Sequence, residues 1–345
     1  MKIKPMTKFA ILALSLVLVA CAGGGSEEAG CPAIDGREIN VVATTPMIGE
    51  FVSQVGGEKI NLTVLMPPEA NPHTYEPAPQ DAGTIAEADL VFYTGLLYEP
   101  AALVKLLENS ACSTDILSEV GESVFPIEFK EGGHDDHDDH DDHDDEEGHD
   151  DEEGHDDEEG HDDHEGHNHG AYDPHFWFDP SRVAYAAEYI ESRLIEFDPE
   201  NESSYKSSAD SFVSELNDLT KQVSELISTV PSQNRKLITT HESLGYLEAK
   251  FGLEVLSTII PSLNSANEIS PSDLAGVIDV IEDNNVKVIF IESEAPSVYS
   301  ETIVAETGIK SVTGLYVETL KPGQSYSEFL ISNVTLITEN LQDTD

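Results

Sequence analysis

The chain has 345 residues, with 68 acidic against 17 basic side chains and a formal net charge of −51 at pH 7. Setting aside the 21 carboxylates between Asp135 and Glu165 still leaves −30, which argues against a nucleic-acid partner because phosphates would be repelled. With the amino-terminal segment and the acidic run removed, about 280 residues remain, enough for two ordinary domains.

Lys2, Lys4 and Lys8 precede an apolar run, Phe9 to Val19, that is too short to span a bilayer comfortably and reads as a secretory signal over residues 1–20. The alternative is an uncleaved signal anchor. The run ends in Leu18-Val19-Ala20-Cys21, which resembles a bacterial lipobox and would make Cys21 the lipidated first residue of the mature chain. Residues 21–30 then form the lipidated cysteine and a glycine-rich flexible tether. Cys31 and Cys112 are left as an even pair in an oxidising compartment, where a disulfide persists; two free buried thiols are the alternative. Neither has the CxxC spacing of a zinc or redox site.

From Ile39 the sequence alternates strand-like and helix-like segments: Ile39–Thr45, Met47–Gly56, Ile60–Leu65, Asp81–Ala88, Leu90–Thr94, Glu99–Asn109, ending near Ser123–Ile127. Such alternation predicts parallel βαβ units. His73 lies in a proline-rich stretch, Pro67 to Pro77, directly after the second strand, where open α/β sheets place their ligands.

Residues 134–169 repeat His-Asp-Asp and Gly-His-Asp-Asp-Glu-Glu with no apolar residue to bury, so they are expected to be disordered without a metal. Their ten histidines are His134, His137, His140, His143, His149, His155, His161, His164, His167 and His169. A solvated linker does not need imidazoles at such intervals, whereas imidazole with carboxylate suits divalent ions held loosely at several sites.

Asp173-Pro174-His175-Phe176-Trp177-Phe178-Asp179-Pro180 follows. Pro174 biases Asp173 toward extended backbone and Pro180 suits a first helical turn, so His175 stands on a stiff, non-helical strut. A helix over Arg182–Phe197 comes next. From Pro199 to Val230 the positions Tyr205, Ala209, Phe212, Leu216, Leu219, Val223, Leu226 and Val230 recur at spacings of four and three, a continuous helical stripe about 45 Å long. A coiled-coil dimer and a helix packed across two domains both explain it. Alternation then resumes: Lys236–Thr240, Glu242–Phe251, Leu253–Ile260, Ser270–Asn284, Val286–Glu292, Ser297–Glu306, Lys310–Val317 and Ser325–Asn340. The expected organisation is an amino-terminal α/β lobe over 31–198, a linking helix over 199–230 and a similar carboxyl-terminal α/β lobe over 231–345. His241 follows the second lobe's first strand and Glu318 its last, both at strand carboxyl ends.

His73, His175 and His241 are the only histidines outside the acidic run. With Glu318 they supply three nitrogens and one oxygen, a set that suits tetrahedral zinc. At these residues the chain resembles the metal-binding receptors of bacterial ABC importers, the zinc and manganese family of solute-binding lipoproteins. The resemblance covers Ile39 to Leu341 and is carried by Asn71-Pro72-His73-Thr74-Tyr75-Glu76-Pro77, Asp173-Pro174-His175-Phe176-Trp177, Thr240-His241-Glu242-Ser243-Leu244-Gly245-Tyr246-Leu247 and Val288-Ile289-Phe290-Ile291-Glu292. It implies two α/β lobes with parallel sheets flanked by helices, bridged by a rigid helix, and one ion between the lobes on His73, His175, His241 and a carboxylate. That carboxylate is usually aspartate in the family, whereas this chain offers Glu318, with Glu292 and Glu294 as second-choice donors. A histidine at 241, where manganese members tend to use a carboxylate, favours Zn2+ over Mn2+, and the acidic histidine run falls where zinc members carry such a loop.

The resemblance further implies a monomeric receptor, not an enzyme, held by its lipid at the outer side of the cytoplasmic membrane, in periplasm or at the cell surface. Its partners would be an importer's permease and ATPase. The competing functions are a manganese receptor of the same family, a surface metal buffer or adhesin, and a zinc hydrolase. Against the last, His241-Glu242 lacks a histidine at position 245, there is no Gly-x-Ser-x-Gly elbow, and four protein ligands would close the site to water.

Overall fold

The computed structural model describes Cys31, Ile34 and residues 36–68, 70–129, 172–260, 270–294 and 298–342. Cys21 and the ten histidines between His134 and His169 lie outside the described residues. The first lobe is built on strands β1 (Ile39–Ala43), β2 (Ile60–Val64), β3 (Leu90–Tyr93) and β4 (Leu117–Glu119), all parallel in the order β2-β1-β3-β4. Parallel strands covered on both faces need apolar residues on both. In β1, Ile39, Val41 and Ala43 enter the main core while Val42 enters a second cluster with Val91, Leu103 and Ile116.

Helices α1 (Pro46–Gly56), α2 (Pro79–Ala86) and α3 (Ala101–Ser110) make the crossovers. Thr45 caps α1 by accepting from the Ile48 N–H, with Pro46 in the first turn. A disulfide joins Cys31 to Cys112, just past the end of α3. The lobe's last strand is β4 rather than a segment near Ser123–Ile127. Phe125 has a left-handed backbone, φ 53°, and an exposed ring, which no strand accommodates. Ser118, in the middle of β4, is buried and accepts from Arg193 Nε at 2.9 Å, so a polar residue fills a core position.

Helix α4 (Pro180–Phe197) starts from Asp179, whose carboxylate accepts from the Ser181 N–H. Helix α5 (Glu202–Ser228) has 27 residues and is about 40 Å long. It buries Tyr205, Ala209, Phe212, Leu216, Leu219, Val223 and Ile227 against α1 and α4 on one side and α9 (Tyr326–Gln342) on the other. The stripe that a coiled-coil dimer would use is therefore covered within this chain.

In the second lobe β5 (Lys236–Thr239) pairs in parallel with β6 (Glu254–Thr258), and β7 (Val288–Glu292) with β8 (Lys310–Leu315), while β5 runs beside β7. Helices α6 (Gly245–Phe251), α7 (Pro271–Asn284) and α8 (Val298–Thr307) complete it. Phe176, Trp177 and Phe178 are fully buried in the core that runs through both lobes, together with Phe51, Tyr326 and Phe329. Ring contacts Phe51–Phe176 at 6.1 Å and Phe178–Phe329 at 5.7 Å bind the strut to α1 and α9. No helix among the described residues is long and apolar enough to cross a membrane.

Candidate metal site

Each histidine is placed by a short rigid device. His73 lies in one turn of 3₁₀ helix, Pro72–Thr74, where the Asn71 side chain accepts from the His73 N–H at 2.9 Å. Asp173 Oδ1 accepts from both the His175 N–H at 2.8 Å and its Nδ1 at 2.7 Å. The following rings hold that turn in place: Trp177 Nε1 donates to Val317 O at 2.8 Å, and Tyr326 donates to Trp177 O at 2.7 Å. His241 leaves the end of β5. Its N–H donates to Glu292 Oε1 at 3.2 Å and its Nδ1 lies 2.5 Å from Glu292 Oε2. Glu318 follows β8 directly on the buried Val317.

These devices bring His73, His175, His241 and Glu318 together, with one donor atom of each within 4.8 Å of the others. Glu318 Oε1 lies 3.0 Å from His73 Nε2, 3.4 Å from His175 Nε2 and 2.8 Å from His241 Nε2. The Nε2 atoms of His175 and His241 are 3.4 Å apart. A tetrahedral ion with bonds of about 2.0–2.1 Å separates its donors by roughly 3.3 Å, so the cluster has the size of such a shell. His175, His241 and Glu318 are buried, and His73 is the least enclosed of the four.

Three outer contacts set which atoms face inward. Asp173 and Glu292 take the Nδ1 side of His175 and His241, so each ring presents its Nε2 lone pair to an ion. Tyr98 donates to Glu318 Oε2 at 2.9 Å, which leaves Oε1 as the oxygen facing the imidazoles. Tyr98 is delivered by a strained turn after β3, where Leu96 and Leu97 have φ of 53° and 60°, at a cost of about 1–2 kcal/mol each. Two carboxylates hold that turn. Glu99 accepts from the N–H groups of Thr94 and Gly95, and Glu119 from that of Leu96.

Charge is concentrated here. Burial works to raise the Glu318 carboxyl, but the charges of His73 and His175 and hydrogen bonds from His175 and His241 hold it well below the usual carboxylate range. Burial pulls the His175 imidazole down, and it is outweighed by the Glu318 charge and the Asp173 hydrogen bond, which lift it to about 9. His241 is likewise held well above its ordinary value: burial opposes, while Glu292 and Glu318 prevail. A cation binding here therefore displaces protons from imidazoles.

Neither second-choice donor joins the cluster. Glu292 supports His241 from behind, and Glu294 Oε1 accepts from the Glu318 N–H at 3.4 Å while its Oε2 is buried without a hydrogen bond among the described residues. Burial, then repulsion by Glu318, pushes the Glu294 carboxyl up to about 7. Sequence reasoning did not find Tyr98 or the orienting roles of Asp173 and Glu292. The available signal for Tyr98 was its place at a strand's carboxyl end, the same cue that picked out His73 and His241.

Known proteins resemble this chain along nearly its whole length. Residues 41–340 match the family model described as zinc-uptake complex component A, periplasmic (ZnuA). The manganese ABC transporter substrate-binding lipoprotein PsaA of Streptococcus anginosus is 26% identical over 98% of this chain and 99% of its own length. The high-affinity zinc uptake system protein ZnuA of Bacillus subtilis is 28% identical over 96% of each. The periplasmic zinc-binding protein TroA of Treponema pallidum shares the fold, with a TM-score of 0.70 over 88% of this chain and 99% of its own at 20% identity. The chain thus belongs to the ZnuA family of metal-binding solute-binding proteins that serve ABC importers.

Proposed function

We propose that this protein captures Zn2+ outside the cytoplasmic membrane through His73, His175, His241 and Glu318, and delivers it to the permease and ATPase of an importer. The observation that carries the reading is the Tyr98–Glu318 hydrogen bond. With Oε2 engaged, Glu318 offers one oxygen, and three imidazole nitrogens complete a four-donor shell of tetrahedral size. Nitrogen-rich, four-coordinate sites suit zinc; manganese favours oxygen donors and higher coordination. Four protein donors leave no open position for a hydrolytic water.

The manganese reading is supported by the name of the Streptococcus anginosus relative, at an identity close to that of the zinc-named one. Titration of protein lacking residues 134–169 with Zn2+, Mn2+ and both in competition decides between them. One tight zinc equivalent that manganese fails to displace is the expected result. Equal or tighter manganese binding rejects the zinc assignment, and a His241→Ala protein with wild-type zinc affinity rejects the site itself.

The acidic histidine run from His134 to His169 collects further zinc loosely and raises its local concentration, without forming part of the tight site. Deleting the run is expected to lower zinc stoichiometry at neutral pH while sparing one tight equivalent. A lipid on Cys21, with the tether over 21–30, holds the receptor at the membrane; mass spectrometry of the mature protein checks that placement.

A further inference from the structure

The first two residues of α6 are fitted to Asp173. The buried Tyr246 hydroxyl donates to Asp173 O at 2.9 Å and accepts from the Ile127 N–H at 3.2 Å, while the Asp173 N–H donates to Ile127 O at 2.9 Å. Gly245 lies so close that a Cβ there would stand 2.6 Å from Asp173 Oδ2. Asp173 Oδ1 is the atom that holds the His175 ring and backbone, and α6 begins four residues after His241. One short segment is therefore joined covalently to one imidazole and, through Asp173, non-covalently to the other.

The same hydroxyl also grips both chain segments that bracket residues 130–171. Ile127 precedes and Asp173 follows that insertion, and Glu128 pairs with Tyr172 in an antiparallel bridge beside them. The described chain on either side of residues 130–171 meets in that bridge, three residues before His175.

Resting on the reading that His73, His175, His241 and Glu318 bind the ion, we infer that Tyr246, with the gap left by Gly245, is a positioning element that sets the 3.4 Å separation of the His175 and His241 nitrogens and thereby the preference for a small tetrahedral ion. An ion of higher coordination needs room for further donors beside these four, and a site whose two buried imidazoles come from different lobes can open to admit them unless the lobes are pinned close to it. Tyr246 and Gly245 supply that pin.

The test uses the full chain with Tyr246→Phe, which keeps the ring and removes the hydroxyl, and Gly245→Ala, which pushes on Asp173 while keeping Tyr246. Zinc and manganese affinities, the absorption spectrum of the cobalt-loaded protein and the metal-free melting temperature are measured for each. Both variants are expected to lose about tenfold in zinc affinity, the lower end for an outer partner of a metal ligand, with a smaller loss for manganese and weaker visible cobalt bands as tetrahedral geometry relaxes. Wild-type zinc-to-manganese preference and cobalt spectrum in both variants overturn the inference, as does a loss shared equally by both metals that tracks melting temperature. His241→Ala is run alongside. If it binds zinc like wild type, the underlying site assignment has failed rather than the role of Tyr246.

Discussion

His73 and the pair His175 and His241 face the same carboxylate oxygen from very different supports. His175 and His241 are buried, and each has a carboxylate on its Nδ1. His73 sits on the loop after β2, is less enclosed, and its Nδ1 has no hydrogen-bond partner among the described residues. A ring held at both nitrogens keeps its tautomer and direction, whereas a ring held at Nε2 alone is freer to turn. On the proposed site, the two supported histidines are expected to dominate affinity and the less supported one the rate at which an ion enters and leaves.

Removing the ligands themselves gives the largest test of this division. His175→Ala or His241→Ala is expected to weaken zinc binding by more than the roughly 10–100-fold typical of outer-partner changes. His73→Ala is expected to weaken it less and to accelerate zinc loss to a chelator most. Equal affinity losses and equal release rates across the three variants in stopped-flow chelation would erase the distinction.

The next effect probes the supports alone. Asp173→Asn and Glu292→Gln keep size and remove charge, and each is expected to lower zinc affinity by about 10-fold or more. His73 has no counterpart to mutate. Competition with a coloured chelator measures the loss, and wild-type affinity in both variants would show that the carboxylates only fill space.

Protons give a third test. His175 is lifted to about 9 from an ordinary 6.5, so in metal-free protein it is charged at neutral pH and a binding ion must displace its proton. Zinc affinity should therefore rise with pH up to about 9 and fall below it. The sign for stability is opposite. A group whose folded value is raised contributes fully below 6.5 and loses its contribution as pH rises through about 9, so metal-free protein should melt at progressively lower temperature over that window. Calorimetry in buffers of different ionisation enthalpy counts the protons released; none at pH 7 would mean the imidazoles are already neutral.

The difference between the supports also marks what was legible in the sequence. Strand-end positions and proline framing pointed to His73, His175, His241 and Glu318, because backbone topology fixes where strand ends meet. Asp173 was visible as a neighbour of Pro174, but its bond to the His175 ring depends on a turn that the sequence does not specify. Glu292 was read as a possible donor because a carboxylate at a strand end has the right chemistry; only the placement of β7 beside β5 aims it at Nδ1. Tyr98 was hidden by two left-handed leucines, a conformation no propensity favours. Ser118 concealed β4 by putting a hydroxyl where a strand of this kind usually buries a hydrocarbon.

The smallest expected effect on the metal comes from the part of the first lobe that lies behind its sheet. The disulfide closes a sequence separation of 81 residues, worth roughly 4 kcal/mol if the chain-entropy account applies. Cys112 packs with Leu107 and Ile116 in the cluster that receives Val42, on the face of β1 opposite Val41 and Ala43, whose core contains Trp177 and the strut of His175. A Cys31→Ser, Cys112→Ser double variant is therefore expected to lower the melting temperature by several degrees, while zinc affinity and release rate at 25 °C stay within twofold of wild type. His73 is the ligand that could make this fail. It hangs from β2, an edge strand of the same sheet, and lacks the carboxylate that would hold it against a shift of that edge. Faster zinc release with unchanged affinity in the double variant would mean that the sheet, rather than the loop alone, steadies His73.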